Sequence, residues 1–184
     1  MKDYIMQLNT AYDENYDGDG PIEIGKIVHK RTQEDVMYLV YDRSDHEKAR
    51  YRFHVDIYEA DDRDNYPVVT MDDYFRKLYY QKSWLFEALA MHELGHFLFG
   101  HLAPDHYKGM TNDAVMKLRQ RYIERGDVMP EESQADAFAV KQCGKRAVRD
   151  AIDILIKRRK ERGDIGMHLA IKEFEVRKRK IQKL

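Results

Sequence analysis

Residues 92–96 read His-Glu-Leu-Gly-His: two imidazoles four positions apart, with a carboxylate directly after the first. An α-helix turns about 100° per residue, so positions four apart nearly eclipse one another and both imidazoles reach a single ion. Glu93 points away from that direction, where a carboxylate can hold a water and take its proton instead of ligating. Two neutral imidazole nitrogens, one carboxylate and an open position are the usual donor set of catalytic zinc. The expected cofactor is therefore Zn2+, with His92 and His96 as ligands and Glu93 as the catalytic base. The surroundings support this. Leu85, Phe86, Leu89, Leu94, Phe97, Leu98 and Phe99 make the segment apolar, and unpaired imidazole or carboxylate groups buried there would each cost on the order of several kcal/mol. A shared metal removes that cost.

One ligand is still missing. The longer zinc pattern HExxHxxGxxH requires a glycine at 99 and a histidine at 102, where this chain has Phe99 and Leu102. Gly100 and His101 are adjacent, which leaves no room for a turn that returns a third imidazole. On a continuing helix His101 stands about 140° around from His96. His101 is thus read as a helix-end or supporting residue. A better source lies downstream in Pro130-Glu131-Glu132-Ser133-Gln134-Ala135-Asp136-Ala137-Phe138-Ala139. Proline followed by two acids marks a helix start. Glu132, Ala135, Asp136 and Ala139 then share a face whose small residues allow close approach to another helix. Glu132 can complete the metal sphere, and Asp136 one turn on can accept the second ring N–H of a metal histidine. Glu131 points elsewhere and is the weaker alternative, suited to the helix dipole.

HELGHFLFGH followed by EESQADAFA resembles the ImmA/IrrE-like metallopeptidases, which show HELGH, a nearby Gly-His, and a Glu-x-x-Ala-Asn/Asp-x-Phe-Ala helix. It is also similar to the HtpX-type peptidases, whose third ligand lies in a Glu-x-x-x-Asp motif. Both are gluzincins. The resemblance covers residues 84–140, about a third of the chain. It implies a small zincin-like domain with His92, His96 and Glu132 as ligands, Glu93 as base and Asp136 supporting a ligand histidine. It also implies a protein or peptide substrate, such as a DNA-binding repressor. Two departures stand out: the chain has no transmembrane helices of the HtpX kind, and no helix-turn-helix segment of the kind often fused to ImmA/IrrE-like domains.

The elements that must position these groups follow from patterning. Ile22–His29 and Val36–Asp42, rich in Ile, Val and Tyr around a polar Thr32–Asp35, read as a hairpin. Arg50–Glu59 alternates, with Tyr51, Phe53, Val55 and Ile57 on one face, and Val68–Thr70 is a short fourth strand. Residues 1–20 read as a short helix or coil and a loop. From Met71 the period lengthens, predicting helices through Ser83–His101 and at Thr111–Arg125, Pro130–Cys143, Lys145–Lys160 and Met167–Lys183. The expectation is one α+β domain over 1–184, an antiparallel sheet in 1–70 followed by helices in 71–184.

Composition narrows the function classes. The 184 residues carry 32 Lys and Arg against 33 Asp and Glu, a formal net charge of −1, and mean hydropathy is −0.76. No general attraction to nucleic acid or membrane is expected. Yet residues 141–184 hold 15 basic and 6 acidic side chains, net +9, against −10 for the rest. That split suits either a self-complementary fold or a basic partner surface. It frames two rivals to a peptidase: a zinc-stabilised, non-catalytic regulator working through this basic third, or a nucleic-acid-associated protein. Glu93 favours the enzyme, because a purely structural metal site needs no carboxylate beside its ligands. The lone Cys143 excludes a disulfide framework and reads as a small buried hydrophobe capped by Gly144. With no signal-peptide core at the start, a reducing, cytoplasmic setting is expected. Asp13–Gly18 opens like a calcium loop, but its twelfth position is Ile24, so a plain turn is preferred. Arg177–Lys180 reads as a solvated basic cluster. Tyr79, Tyr80, Tyr107 and Tyr122 are candidate oxyanion stabilisers among which spacing does not choose.

Overall fold

The computed structural model describes residues 2–9, 22–41, 53–60, 63–103, 106–163 and 166–184. Five strands come first: β1 (Tyr4–Leu8), β2 (Ile22–His29), β3 (Asp35–Tyr41), β4 (Phe53–Ala60) and β5 (Arg63–Met71). Six helices follow: α1 (Asp73–Gln81), α2 (Ser83–Leu98), α3 (Asn112–Glu124), α4 (Pro130–Cys143), α5 (Lys145–Arg162) and α6 (Met167–Lys183). The α+β class and the order of strands before helices are as expected. The acidic turn at Asp13–Gly18, and Tyr51, lie outside the described residues.

Two features of the sheet differ from expectation. Tyr4–Leu8 is a strand, pairing antiparallel with β2 from Tyr4 opposite His29 to Leu8 opposite Gly25. Five residues are too few for a stable helix, whereas a neighbouring strand supplies hydrogen-bond partners at once. The sheet is also mixed. Its order is β1-β2-β3-β5-β4, antiparallel throughout except where β5 runs parallel to β3, Tyr38 opposite Val68 to Tyr41 opposite Met71. The β4–β5 hairpin enters the sheet by its second strand, so β4 becomes the edge.

Ile24 and Ile27 of β2, Met37 and Leu39 of β3 and Val69 and Met71 of β5 form the sheet's side of one core shared with the helices. α2 lies at its centre. Leu85, Phe86, Ala88, Leu89, Ala90, Met91 and Leu94 are all buried, so the helix is enclosed over most of its middle turns. α4 packs directly on it at Gly95, where an added Cβ would sit 3.0 Å from the Ala135 Cα. A glycine facing alanines brings these two backbones close enough for short side chains to meet. α6 closes the bundle against α3, α4 and α5. Among the described residues, no helix is long and apolar enough to cross a membrane.

Candidate metal centre

α2 presents His92 and His96 one turn apart, with their Nε2 atoms 3.0 Å from each other. α4 begins with Pro130 at its first position and carries Glu131 and Glu132 in its first turn. The close α2–α4 approach brings Glu132 Oε2 to 3.5 Å from His92 Nε2, and Oε1 to 3.9 Å from His96 Nε2. Three ligands at about 2.0–2.2 Å from a tetrahedral zinc stand about 3.3–3.6 Å from one another. The observed separations bracket that range, so the group can hold a metal ion. The buried Glu132 Oε2 has an ion-pair neighbour, Arg177 Nη1 at 2.9 Å, but no hydrogen bond satisfies it. An acceptor left in this way, facing two imidazole nitrogens, suits a cation. Glu131 is not part of the converging set among the described residues.

Asp136 lies where the spacing predicts, its Oδ1 3.0 Å from His92 Nδ1. That contact holds the His92 proton on Nδ1 and turns Nε2 toward His96 and Glu132. Asp136 is itself held by Arg177, whose Nε and Nη2 donate to Oδ2 and Oδ1 at 2.9 and 2.6 Å. Arg177 was expected in a solvated cluster. Instead it is 5% exposed and reaches three site residues, His92, Glu132 and Asp136. The sequence did carry a signal for this. Arg177 stands three residues after Phe174 and four before Ile181, on the buried stripe of α6.

These contacts set the protonation states. Burial and Arg177 pull the His92 pKa down, but the hydrogen-bonded Asp136 and the nearby Glu132 carboxylate outweigh them and raise it to about 9. Burial and the charge on His92 press His96 down to about 3, so it stays neutral. Burial alone would raise both carboxyls. Arg177 and His92 instead hold Glu132 well below, and Asp136 below, the usual carboxylate range. Burial opposes the Arg177 charge as well, yet Asp136 and Glu132 keep the guanidinium firmly protonated.

His101 lies at the helix end against His96, in keeping with a supporting rather than a ligand place, although the chain does find room to turn there. Gly100 adopts φ 72°, which a residue with a Cβ rarely takes up. The His101 N–H then bonds the His96 carbonyl at 2.9 Å, and the Gly100 N–H bonds that of Phe97 at 3.0 Å. This is a Schellman cap, which sets the residue after the glycine over the last turn. His101 Nδ1 ends 3.0 Å from His96 Nδ1, the ring edge facing away from the ligand cluster, and its Nε2 lies 2.8 Å from Gln134 Oε1. His101 therefore backs His96 from outside the converging set of His92, His96 and Glu132.

Glu93 is half-buried and borders, with His92, His96 and Glu132, a cavity of about 400 Å³. Val148, Ile152 and Leu155 of α5 and Phe174 of α6 make its apolar wall, and Arg119, Arg159 and Arg177 also line it. None of Tyr79, Tyr80, Tyr107 and Tyr122 is among the lining residues. The Tyr79 hydroxyl donates to the Ile24 carbonyl at 2.6 Å, on the sheet side. Beside the cavity a second buried pair, unforeseen from the sequence, joins fully buried Glu173 to Arg119, whose Nε is 2.9 Å from each carboxylate oxygen. Cys143 is half-buried at the end of α4, and burial pushes its thiol up to about 12. Elsewhere the basic third pairs within the molecule: Lys178 with Asp153, Lys180 with Asp127, and Arg158 with Asp72. No family model, curated protein or solved structure matches this chain.

Proposed function

We propose that this protein is a zinc-dependent endopeptidase acting on a protein or peptide, in keeping with the gluzincin resemblance of its motifs. The observation that carries the reading is the placement of Glu93: the carboxylate that follows the first histidine borders the same cavity as His92, His96 and Glu132. When bound there, a zinc ion supplies polarisation of a carbonyl and acidification of water. His92, His96 and Glu132 hold the ion, and Asp136 keeps the lone pair of His92 Nε2 aimed at it. Glu93 takes a proton from the attacking water as its oxygen bonds to the scissile carbonyl carbon. It then gives that proton to the departing amine nitrogen as the C–N bond breaks. A repressor-type substrate belongs to this reading by resemblance, and a cytoplasmic setting is proposed with it. The rival regulator acting through the basic third is disfavoured, because several of those cations are already paired within the fold.

Glu93→Gln separates enzyme from binding module. It keeps the shape of the side chain and removes its basicity, so zinc content and folding should be unchanged. Proton transfer of this kind contributes about 10²–10⁴-fold, and cleavage of a substrate should fall by at least that much at matched zinc occupancy. Equal activity of the two proteins would end the peptidase reading.

A further inference from the structure

We propose that His101 and Gln134 are positioning residues that fix the tautomer of His96 and so aim its Nε2 lone pair at the metal. The inference rests on the metal-site reading and extends it to two residues outside the ligand set. The chain of atoms is continuous: Gln134 Oε1 to His101 Nε2 at 2.8 Å, then His101 Nδ1 to His96 Nδ1 at 3.0 Å. An amide oxygen only accepts, so His101 must carry its proton on Nε2. In the neutral ring its Nδ1 is then a lone pair, and a bond to it requires the His96 proton to be on Nδ1. His96 Nε2, 3.0 Å from His92 Nε2, is left as the unprotonated atom a metal needs.

The backbone makes this arrangement durable. The Schellman cap ties the His101 N–H to the very residue whose ring its side chain meets, so ring and backbone are registered together. Gln134 comes from the same first turns of α4 that supply Glu132 and Asp136. One helix thus backs both ligand histidines: His92 through a carboxylate directly, and His96 through a neutral amide and an intervening imidazole. His101 is half-buried and Gln134 exposed, so substitutions at either disturb little of the core.

The test combines zinc affinity, by competition with a chelator and Zn2+ as the only probe, with two-bond nitrogen-15 correlation of the histidine rings. His101→Phe keeps a ring but removes the acceptor, and it should weaken zinc binding about 10–100-fold. His101→Asn puts a carbonyl oxygen on the same γ carbon that bears Nδ1, and it should recover most of that loss. Gln134→Leu should weaken binding in the same direction by less. In the wild-type spectrum the His96 proton should reside on Nδ1. Unchanged affinity in His101→Phe overturns the proposal, as does an Asn variant that loses as much as the Phe variant. If the wild type binds no zinc, the metal reading fails by itself. The positioning claim is then decided by the spectrum: a proton on His96 Nδ1 upholds it, and a proton on Nε2 overturns it.

Discussion

Arg177 grips both oxygens of Asp136, and the oxygen it approaches at 2.6 Å is also the one that lies 3.0 Å from His92 Nδ1. The orientation of the first histidine of the motif therefore depends on a residue 85 positions later, in the last helix of the chain. Asp136 cannot turn toward His92 in any other way without giving up one arm of a bidentate ion pair. The candidate metal centre is thus tied to the closing of the helical bundle, and the two should fail together.

Replacing Arg177 tests that link. Arg177→Met leaves the buried carboxylates Asp136 and Glu132 with His92 alone as a counter-charge, and breaking a buried pair in this way costs about 3–5 kcal/mol. Arg177→Lys keeps the charge but loses the fork that spans both Asp136 oxygens, so it should recover only part of the loss. Denaturant unfolding of the metal-free proteins measures both. Wild-type stability in Arg177→Met would show that the guanidinium is not what holds these carboxylates.

The ligand assignment is separable residue by residue. His96→Ala should abolish most zinc uptake, and Asp136→Asn should weaken it about 10–100-fold through the orientation of His92. Glu132→Gln should lose metal while Glu131→Gln keeps it. Elemental analysis of the purified variants decides, and loss of zinc in the Glu131 variant alone would transfer the third ligand to Glu131.

Protonation of His92 predicts a pH dependence with a definite sign. Its pKa in the folded, metal-free protein is raised to about 9, against about 6.5 for an unperturbed histidine. Between those values the folded protein binds a proton that the unfolded chain does not. The stabilisation this gives the metal-free fold is complete below about pH 6.5 and is lost as pH rises toward 9. Zinc must displace the same proton from Nε2, so its affinity should run the opposite way, increasing by about tenfold per pH unit over this window. Chelator competition from pH 6.5 to 8.5 measures the slope. A flat profile would mean that His92 is already neutral.

Gly95 controls the spacing of the two site helices. Gly95→Ala places a methyl group 3.0 Å from the Ala135 Cα and 3.4 Å from both the Ala135 and Phe138 Cβ atoms. Overpacking of this kind costs about 1–3 kcal/mol, despite the better helix propensity of alanine. It should also lower zinc affinity, because α4 must move away with Glu132 and Asp136. Thermal unfolding and zinc titration of the variant are the measurements, and an unchanged affinity would show that the helices tolerate wider spacing.

Short-range chemistry explains which parts of this protein can be read directly from its residues. The HELGH helix, the start of α4 at Pro130 and its end at Cys143, and the bounds of α6 follow from local periodicity, capping and proline geometry. The pairing of Glu132 with Asp136 follows too, since spacing on one helix needs no knowledge of the rest of the chain. Strand β1 and the parallel alignment of β5 with β3 do not follow, because a strand's partner is set by the whole sheet. The return of His101 was in principle legible from Gly100 as a helix-ending glycine, yet only the folded cap shows the ring arriving at His96. Arg177 is the clearest case of a residue whose role only the tertiary structure decides. Its place on the buried stripe of α6 is legible from Phe174 and Ile181, but its partners are not, and the Lys178, Arg179 and Lys180 that follow it make it look like one more solvated charge. Packing α6 against α4 brings it to Asp136 and Glu132, where burial makes an unpaired carboxylate costly and a guanidinium is the group that can pair with both.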